Sequence, residues 1–543
     1  MTRIRSTCSA ALLAAILVAN GGSLGATAQQ HATAAASTTL IYGAVGDPDS
    51  INPMISAGPG WDVIGAVFDS LLSVDAHDNL QPDLATSVTH SADWRTWTFH
   101  LRRGVQWADG QSFTSADVAY NYHALFDKKL NVGIATAGWD QIDQSSTPDA
   151  YTFVCHLKMV SAPFLANVAL TAMIPQHVYD HPGVDFRKSP INRRPIGTGP
   201  YMVTEWKTGD HITMVPNPYS WRARPYFQKV IFKIVPDRDT LLVQVRTGEI
   251  DMGNLIQRQV SQARALPGKR VVTWLQNNYR HVEFVQYGFL RERTVRQALD
   301  YATPKQAIFK GISLGMGAIA IANVSPAVTA YYNPNVPRHP YNLAKAAAML
   351  AADGFVKGAD GTLRKNQQPF VMNLWTGTGD SNGERINEIL QQVWGQLGIK
   401  VTLRTMPYGD LYGPNGPYFT RVMAGSTVGA SNNVDVDDSA YWISTAIPKS
   451  PTDATCCDSF GYFYRFTFQD QLDALYRAGN LTLDRVKRKA IYFKIQALLA
   501  DEVPVIFLYW APYQVVMPSS LTGYDASPFG FSSFGTISNW RMS

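Results

Sequence analysis

The stretch QPFVMNLWTGTGDSNGERINEILQQVWGQLGIKVTLRTM, from Gln368 to Met406, changes its hydrophobic pattern twice. Its two ends are short apolar segments typical of β-strands, whereas apolar residues in the middle recur at helical spacing. The members of this helical stripe are Ile386, Leu390, Val393 and Leu397. Gly398 then ends the helix. A strand, a helix and a second strand in this order predict a right-handed parallel unit, so the fold class is α/β.

A second informative stretch is PIGTGPYMVTEWKTGDHITMVPNPYSW, from Pro195 to Trp221, in which a Gly-Thr-Gly-Pro-Tyr turn precedes two alternating segments. A phosphate-binding glycine loop would instead follow a strand and open a helix, so that backbone amides point at the anion. Pro200 also lacks an amide hydrogen. The sequence therefore predicts a tight crossover into a hairpin with strands at 201–206 and 211–215, and no nucleotide site.

Other segments show equally simple patterns. Thr114 and Asp117 form a capping box, which predicts a helix that runs to about Phe126. Further elements follow from periodicity and from turn residues. They are a strand at 38–45, a helix within WDVIGAVFDSLL at 61–72, a strand at 97–101, helices at 343–352 and 483–500, and a strand within VPVIFLYW at 503–510.

The length and composition limit the class of protein. The chain has 543 residues, too many for one hydrophobic core, so we expect two or more lobes. Apolar residues make up 46% and charged residues 16%, which indicates a folded protein and excludes a disordered one. The aromatic share of 11% is rich. It is compatible with stacking surfaces for a ligand, although core packing is the commoner use.

The N-terminus has the pattern of a secretory signal peptide. Arg3 and Arg5 precede an apolar run at 10–19, and Ala26-Thr27-Ala28 is typical of a cleavage site. This run is too short to span a bilayer, which needs about 20 residues, and no later stretch supplies one. We therefore expect secretion to the periplasm, with a mature chain that begins near Gln29. Cys8 lies before the apolar run, which excludes the lipid-bearing cysteine of a lipoprotein.

The charge of the chain is modest. Removal of residues 1–28 takes away Arg3, Arg5 and no acid, so the net charge falls from +5 to +3. This balance does not indicate a nucleic-acid partner.

Three cysteines remain after the signal peptide: Cys155, Cys456 and Cys457. An odd count leaves at least one thiol without a disulfide, and there is no Cys-x-x-Cys motif. A metal site would need further ligands at suitable spacing, and Asp458 is the only nearby candidate. We expect a surface loop with at most one bridge, no metal and no cofactor.

Signals of catalysis are weak. GISLG, at 311–315, matches the nucleophile-elbow pattern around Ser313, but that motif needs a strand before the serine and a helix after it. Here a helical pattern precedes Ser313 and a glycine-rich loop follows. DVDD, at 435–438, lacks the glycine and the distal glutamate of a calcium loop. The sequence offers no constellation that demands chemistry, so we expect a protein that is not an enzyme.

Several blocks in one order resemble the family-5 extracellular solute-binding proteins, which are the oligopeptide, dipeptide and nickel receptors of ATP-driven importers. The blocks are LQPDLATSVTHSADWRTWTFHLRRGVQWADGQSFTSADVAY at 80–120, GTGPYMVTEW and NPYSW within 197–221, VIFKIVPDRDTLLVQVRTGEIDM at 230–252, RTVRQALDYA from Arg293, NLAKAAAMLAADGF from Asn342 and QLGIKVTL from Gln396. Together they extend over nearly the whole mature chain.

The resemblance implies a two-lobed periplasmic binding protein of type II, in the large peptide-binding subclass, with a subdomain inserted in the first lobe. A hinge would let the lobes close around a ligand. The predicted divisions are a signal peptide at 1–28, lobe I at 38–79, 191–282 and 509–543, its inserted subdomain at 80–190, and lobe II at 283–508. The implied partners are a peptide or peptide-like solute and the permease subunits of an ABC transporter. We expect a monomer.

Peptide receptors of this family pair an aspartate of the second lobe with the amino terminus of the ligand. SNNVDVDD, at 431–438, matches that segment, and Asn432 stands where the pairing carboxylate would be. Either Asp435 or Asp437 replaces it, or the ligand has no ammonium group there. The predicted ligand contacts are Asn432, Asn433, Asp435, Asp437, Trp61, Phe507 and Tyr509.

Two functional classes remain open. The first is a solute-binding protein for a peptide or peptide-like solute, or for an opine, an oligosaccharide, haem or a metal chelate. The second, which the sequence favours far less, is a secreted serine hydrolase that uses Ser313. A binding protein gains thermal stability with its ligand, whereas a hydrolase turns substrate over and loses activity with Ser313→Ala.

Overall fold

The structure, a computed structural model, describes residues 38–543 except 56–59, 76–78, 128–129, 131–137, 182–183, 412–415, 432–434, 451–459, 461–463 and 527–532. The predicted signal peptide therefore lies outside the described residues, and so do Asn432, Asn433, Cys456 and Cys457.

The strands occur along the whole described chain. They are β1 (Thr39–Ala44), β2 (Leu72–Val74), β3 (Leu80–Pro82), β4 (Ala85–His90), β5 (Thr96–Leu101), β6 (Ile142–Asp149), β7 (Thr152–Leu157), β8 (Tyr201–Lys207), β9 (His211–Pro216), β10 (Lys229–Ile234), β11 (Met252–Asn254), β12 (Lys269–Phe284), β13 (Ala318–Ile319), β14 (Val356–Lys357), β15 (Leu363–Lys365), β16 (Gln368–Pro369), β17 (Val371–Gly377), β18 (Lys400–Met406), β19 (Ala424–Ser431), β20 (Val505–Pro518), β21 (Leu521–Thr522) and β22 (Arg541–Met542).

The α-helices alternate with these strands. They are α1 (Gly60–Val67), α2 (Ser115–Phe126), α3 (Phe164–Ala169), α4 (Gln176–Tyr179), α5 (Arg238–Thr247), α6 (Val260–Arg264), α7 (Arg293–Tyr301), α8 (Lys305–Ile312), α9 (Leu343–Ala352), α10 (Ser381–Gln396), α11 (Tyr408–Leu411), α12 (Gln469–Leu481) and α13 (Arg485–Glu502). Short 3-10 helices lie at Trp139–Gln141, Pro190–Arg193, Gln257–Gln259, Gly288–Arg291, Pro417–Phe419, Ser439–Tyr441, Ser444–Ala446 and Ser533–Asn539.

One large mixed sheet runs through the molecule. Its strand order is β18-β17-β19-β12-β20-β11-β1-β10-β9-β8, and β13 pairs with β20 outside this path. β1 is parallel to β10 and β11, and β17 is parallel to β18 and β19. The long antiparallel strands β12 and β20 connect these two groups. The mixed α/β architecture agrees with the predicted fold class.

A separate four-stranded sheet has the order β4-β5-β7-β6 and lies within the predicted inserted subdomain. α2 packs on its β6 and β7 strands. The predicted capping box is present, because the backbone amide of Thr114 donates to Asp117 Oδ2 at 2.8 Å. Cys155 is buried in β7, makes no disulfide with a described residue, and has its pKa raised by burial to about 12.

The strand–helix–strand prediction is confirmed. β17 and β18 pair in parallel, from Val371 opposite Lys400 to Gly377 opposite Met406, and α10 connects them. The predicted apolar stripe of α10 is buried, including Ile386 and Leu390. Gly398 has a φ of +92°, a left-handed conformation that glycine adopts without strain.

The glycines of the Gly-Thr-Gly-Pro-Tyr turn allow a close backbone contact with α1. A Cβ on Gly197 would lie 1.9 Å from the carbonyl oxygen of Val67, and a Cβ on Gly199 would lie 2.6 Å from the Val67 carbonyl carbon. The amide of Gly199 donates to that oxygen at 2.9 Å. Antiparallel β8 and β9 follow, so the predicted crossover into a hairpin is confirmed.

The helix predicted within 61–72 ends earlier than its apolar spacing indicated. α1 stops at Val67, because the carbonyl groups that would continue it accept hydrogen bonds from distant segments. Met173 donates to Asp69, and Ala85 donates to Leu71, in addition to the Gly199 contact with Val67. Tertiary pairing therefore replaces the last turn of the predicted helix.

Asp69 connects the turn to the Asn-Pro segment that ends the hairpin. Its carboxylate accepts hydrogen bonds from Thr198 Oγ1 and Trp221 Nε1, each at 3.0 Å. Arg222 pairs with Asp69 at 2.9 Å and also with Asp83. The glycine-rich corner and its hairpin thus form one buried polar cluster around Asp69, which has a structural role.

The second group of strands is covered on both faces. Leu374, Leu390 and Ile506 belong to the core on one face. On the other face, a small cluster that includes Leu411, Ala424 and Val428 packs against β17 and β19. Beside it, an aromatic core packs against β12 and β20 and includes Tyr279, Trp442, Phe460, Phe466, Tyr476, Tyr492, Phe507 and Trp510. Parallel strands that are buried on both sides are the expected arrangement in α/β proteins.

Candidate functional site

The pairing of β12 with β20 shifts register at two places, and we call the wider shift, which leaves residues 276–278 opposite residue 511, the interruption. Lys269–Leu275 pairs with 512–518, Tyr279–Glu283 pairs with 505–510, and the register shifts between Leu275 and Tyr279. We call the parts on either side the first half (38–275 and 512–543) and the second half (279–510). An interruption of both crossing strands at one level is the place where a sheet bends most easily.

Beside this interruption, the first half has a group of side chains that we call the polar cluster: Tyr42, Asp62, Asn254, Trp274 and Tyr513. β11 ends at Asn254, whose side-chain amide donates to the hydroxyl of Tyr513. The hydroxyl of Tyr42 donates to Asp62 Oδ2 at 3.1 Å, and burial raises the pKa of Tyr42 well above its usual value. The ring of Trp274 lies 4.8 Å from that of Tyr513. Ligands of open α/β sheets bind beyond the carboxyl ends of the strands, where this cluster lies.

In the second half, two strands also end near the interruption. β19 ends at Ser431, which pairs with Asn278 directly at the interruption. β17 ends at Gly377, shortly before Asp380. Asp380 caps α10 through the amide of Gly383 at 3.0 Å and accepts a hydrogen bond of 2.5 Å from Arg280. The carboxyl ends of parallel strands from both halves therefore converge on the interruption.

Two of the predicted ligand contacts, Asn432 and Asn433, lie outside the described residues. Asp435 is described, and both of its carboxylate oxygens accept hydrogen bonds from Arg488 in α13. The side chains of Asp435 and Arg488 are 11% and 6% exposed. The charge of Asp435 is therefore compensated within the second half.

The carboxylate of Asp437 also has partners within the second half. It accepts hydrogen bonds from Asn480 Nδ2 at 3.1 Å and from the Tyr492 hydroxyl at 3.4 Å. Burial is the largest cause that raises the pKa of Asp437 to about 6, and the charge of Asp435 acts in the same direction. The carboxylate of the next acid, Asp438, accepts hydrogen bonds from Asn323 and from two residues of the aromatic core, Tyr476 and Trp442.

The structure separates the three predicted aromatic contacts. Trp61 is half-buried at the start of α1, next to Asp62 of the polar cluster. Phe507 lies in the aromatic core, 5.4 Å from the Tyr279 ring. A register shift at the level of Leu508 places Tyr509 in the core of the opposite face.

Tyr509 hydrogen-bonds with Arg280. Arg280 also pairs with Asp380, and neither residue of this pair was among the predicted contacts. The sequence could identify Asp380 as the capping residue of α10. It could not predict the ion pair with Arg280, which lies 100 residues away in the sequence.

The two halves also meet away from the interruption. The backbone amide of Ala162, in the predicted inserted subdomain, donates to the carbonyl of Asn480 in α12 at 2.7 Å. Leu170 and Val74 of the first half pack against the aromatic core of the second half. We call the region bounded by the interrupted strands on one side and by the 161–170 segment on another the crevice.

Other chemistry has little support in the described part of the chain. No three His, Cys, Asp or Glu side chains group there as a metal ion would require. Ser313 follows helix α8 instead of a strand, is 1% exposed, and donates to the carbonyl of Met316. This geometry differs from a nucleophile elbow. In the same part of the chain, no helix is long and apolar enough to cross a membrane.

Comparison with known proteins identifies a common architecture. Residues 79–444, more than half of the chain, match the family described as bacterial extracellular solute-binding proteins, family 5 Middle. The oligopeptide-binding protein AppA of Bacillus subtilis (strain 168) is 26% identical over 500 residues, which cover 90% of this chain and 89% of AppA.

Two solved structures share the fold at 24% identity and a TM-score of 0.80. One is AppA from Bacillus subtilis in complex with a nonapeptide, and the other is NikZ from Campylobacter jejuni in complex with Ni(L-His). Each match covers 93% of this chain and 99% of the other. The likeness establishes the two-lobed type II fold.

Proposed function

Because this chain belongs to the family 5 bacterial extracellular solute-binding proteins, we propose that it captures a peptide or peptide-like solute between two hinged lobes. It then delivers the solute to the permease of an ABC importer. The observation that carries the proposal is the interruption of β12 and β20, on which the strand ends of both halves converge. The protein acts by binding and release, as solute-binding proteins do.

The choice of a peptide rests on the relatives. AppA, whose name gives it an oligopeptide ligand, matches this chain over 90% of its length. Peptide receptors hold an extended ligand largely through its backbone, and both halves end their strands at the crevice, where backbone groups are available. The proposed hinge comprises residues 276–278 and 511, a few residues from the boundaries that the sequence predicted at 282 and 508.

The proposed ligand contacts are the residues predicted from the sequence, but we do not expect all of them to touch the ligand directly. Asn432 and Asn433 follow Ser431, which lies at the interruption, so we place the ligand beside them. Trp61 adjoins the polar cluster of the first half and supplies an aromatic surface. Asp435 and Asp437 do not contact the ligand directly in this proposal, because Arg488 and Asn480 already donate hydrogen bonds to their carboxylates.

The decisive experiment is a thermal-shift screen of the mature chain against a panel of peptides from two to nine residues, followed by calorimetry. A ligand at a hundred times its Kd should stabilise the fold by about 2.7 kcal/mol. Small-angle scattering should then show a smaller radius of gyration with the best peptide. If no peptide raises the melting temperature, or if the peptide is cleaved, the proposal is wrong.

We also propose secretion as a monomer, with cleavage after Ala28 in the periplasm. The support is the order of the charged, apolar and small residues within 1–28. Intact mass of the protein from a periplasmic extract measures the start of the mature chain. A mass that includes residues 1–28, or a lipid on a cysteine, would contradict it.

A non-peptide solute is the second candidate. One specific observation favours it: NikZ, which was solved with Ni(L-His), matches this fold as well as AppA does. In addition, Arg488 already compensates Asp435, the first described acid after β19. Including Ni(L-His), opines and oligosaccharides in the same thermal-shift screen separates the two candidates.

A further inference from the structure

The second half contains a cavity of about 330 Å³ that lies outside the crevice described above. It is lined by the start of α8, the end of α13, the start of β20 and the 337–341 segment. This volume falls within the range of small-molecule sites, about 300–1,000 Å³. The mouth of the cavity opens to solvent beside Arg338 and Tyr341, which are exposed, so a ligand can enter from that side.

One side of the cavity is apolar. Val503, Val505 and Phe507 line it, and each is 3% exposed or less. Ile319 and Ile321, both half-buried, form a wall that continues from β13. These side chains offer an alkyl group a surface that is already largely removed from water.

The other side carries charge. Asp300 lines the cavity, and its two carboxylate oxygens lie 2.7 Å from Lys305 Nζ and 3.0 Å from His339 Nδ1. The carboxylate is therefore compensated on both oxygens. Arg338 also lines the cavity, donates to the carbonyl of Pro334 at 2.8 Å, and has no carboxylate partner among the described residues.

The charge around the cavity is consequently positive, because Lys305 and Arg338 outnumber Asp300. Lys305 and Gln306 also form the first turn of α8, but the C-terminal end of α13 lines the same cavity, so the two helix ends have opposite effects on an anion. Arg338 is exposed at the mouth of the cavity, where it can bind an anion and would repel a cation. The combination of an apolar floor and a cationic rim fits an amphipathic anion.

We propose that this cavity is a second binding site, for a small carboxylate with an unbranched alkyl chain. The chain would lie on Val503, Val505 and Phe507, and the carboxylate would bind Arg338 at the rim. Among the described crevice contacts, Phe507 is the one that also lines the cavity, and the other residues used here belong to the cavity alone.

The test is calorimetric titration of the full chain with octanoate, with 1-octanol and octylamine as probes that lack the anionic head. Octanoate should bind, and both other probes should bind more weakly. Arg338→Ala should weaken octanoate by about tenfold, the usual effect of a lost charge-assisted hydrogen bond. Arg364→Ala, which removes an arginine elsewhere in the same half, should leave octanoate binding unchanged.

Ile321→Trp gives an independent test because it fills the cavity without altering its charges. It should abolish octanoate binding while the melting temperature of the ligand-free protein stays close to that of the wild type. The proposal is overturned if octanoate does not bind at millimolar concentration. It is equally overturned if octanoate binds the wild type, Arg338→Ala and Ile321→Trp alike.

Discussion

The amide of Ala162 and the carbonyl of Asn480 form a hydrogen bond of 2.7 Å that joins the predicted inserted subdomain to helix α12. The side chain of Asn480 in turn donates to Asp437, and it accepts a hydrogen bond from Tyr492 at 3.1 Å. One residue thus connects the facing half of the molecule to the acidic segment that follows β19. In the proposed clamp mechanism, this contact holds the two halves together beside the crevice.

Removing the Ala162 donor should therefore weaken closure. Ala162→Pro has no amide hydrogen, and it should lower the affinity for the best peptide of the panel by about threefold to tenfold. Ala162→Gly retains the donor and is the matched control. Calorimetry gives the affinities, and scattering should show a larger radius of gyration for the proline variant with peptide. Equal affinities for the two variants would show that the contact does not contribute to closure.

The ion pair between Asp435 and Arg488 should stabilise the fold. Asp435→Ala leaves a buried guanidinium without its carboxylate, which should lower the free energy of unfolding by about 3 kcal/mol. The control is Asp470→Ala, since Asp470 pairs with Arg465 but its side chain is 95% exposed. That surface pair should contribute about 0–1 kcal/mol. Chemical denaturation of both variants measures the difference, and similar values would contradict a structural role for Asp435.

Gly197 should tolerate no side chain. Gly197→Ala would place a Cβ 1.9 Å from the carbonyl of Val67, so the crossover must move and the Asp69 cluster must rearrange. We expect a loss of at least about 3 kcal/mol, at the upper end of overpacking effects. Gly395→Ala, in helix α10 with open space around it, should stabilise the fold by up to about 1 kcal/mol. Melting temperatures of the two variants test the contrast.

These examples show what local patterns could predict. The βαβ unit, the capping box of α2 and the hairpin after Gly199 all depend on residues close in sequence, and the structure confirms each. The early end of α1 was not predictable, because the amides that donate to the carbonyl groups at and beyond its end belong to other segments, and those of Met173 and Gly199 lie more than a hundred residues away.

The candidate site was harder to predict for the same reason. The segment of 431–438 was correctly flagged as acidic, but Arg488, which neutralises Asp435, lies 53 residues further on. Phe507 and Tyr509 should share a face by the alternation of a strand, yet the register shift in β20 separates them. A bulge of one residue leaves no clear trace in the sequence.

The stability of the second half should depend on pH through Asp437. Its pKa in the fold is about 6, above the model-peptide value of 3.8, so the folded chain binds the proton more tightly. This contribution to stability is present below about pH 4 and is lost as the pH rises through about 6.

Asp437→Asn has no titratable group at position 437. Its free energy of unfolding should therefore increase relative to that of the wild type as the pH rises. We expect the difference in unfolding free energy to shift in favour of the variant by about 2 kcal/mol between about pH 4 and about pH 7.5. Any pH-independent effect of the amide cancels in this comparison. Urea denaturation at several pH values measures it, and a constant difference would mean that Asp437 titrates normally.

The last prediction concerns the amino end of the ligand, and it starts from Asn432. In peptide receptors of this family a carboxylate at the matching place pairs with the ammonium group, whereas asparagine offers an acceptor without charge. Asp435, the next acid along the sequence, already pairs with Arg488, so it cannot compensate a second cation fully. An unblocked peptide should therefore bind no better than its N-acetylated form.

Calorimetry with one peptide and its N-acetylated form tests this on three proteins. The wild type should bind both forms alike, and Asn432→Asp should prefer the free amine by about tenfold or more, because a partly buried charge pair contributes about 2–5 kcal/mol. Asn433→Asp is the neighbouring control and should show a smaller preference. If the wild type already prefers the free amine, another carboxylate binds it. If Asn432→Asp gains nothing for the free peptide, Asn432 does not face the amino end of the ligand.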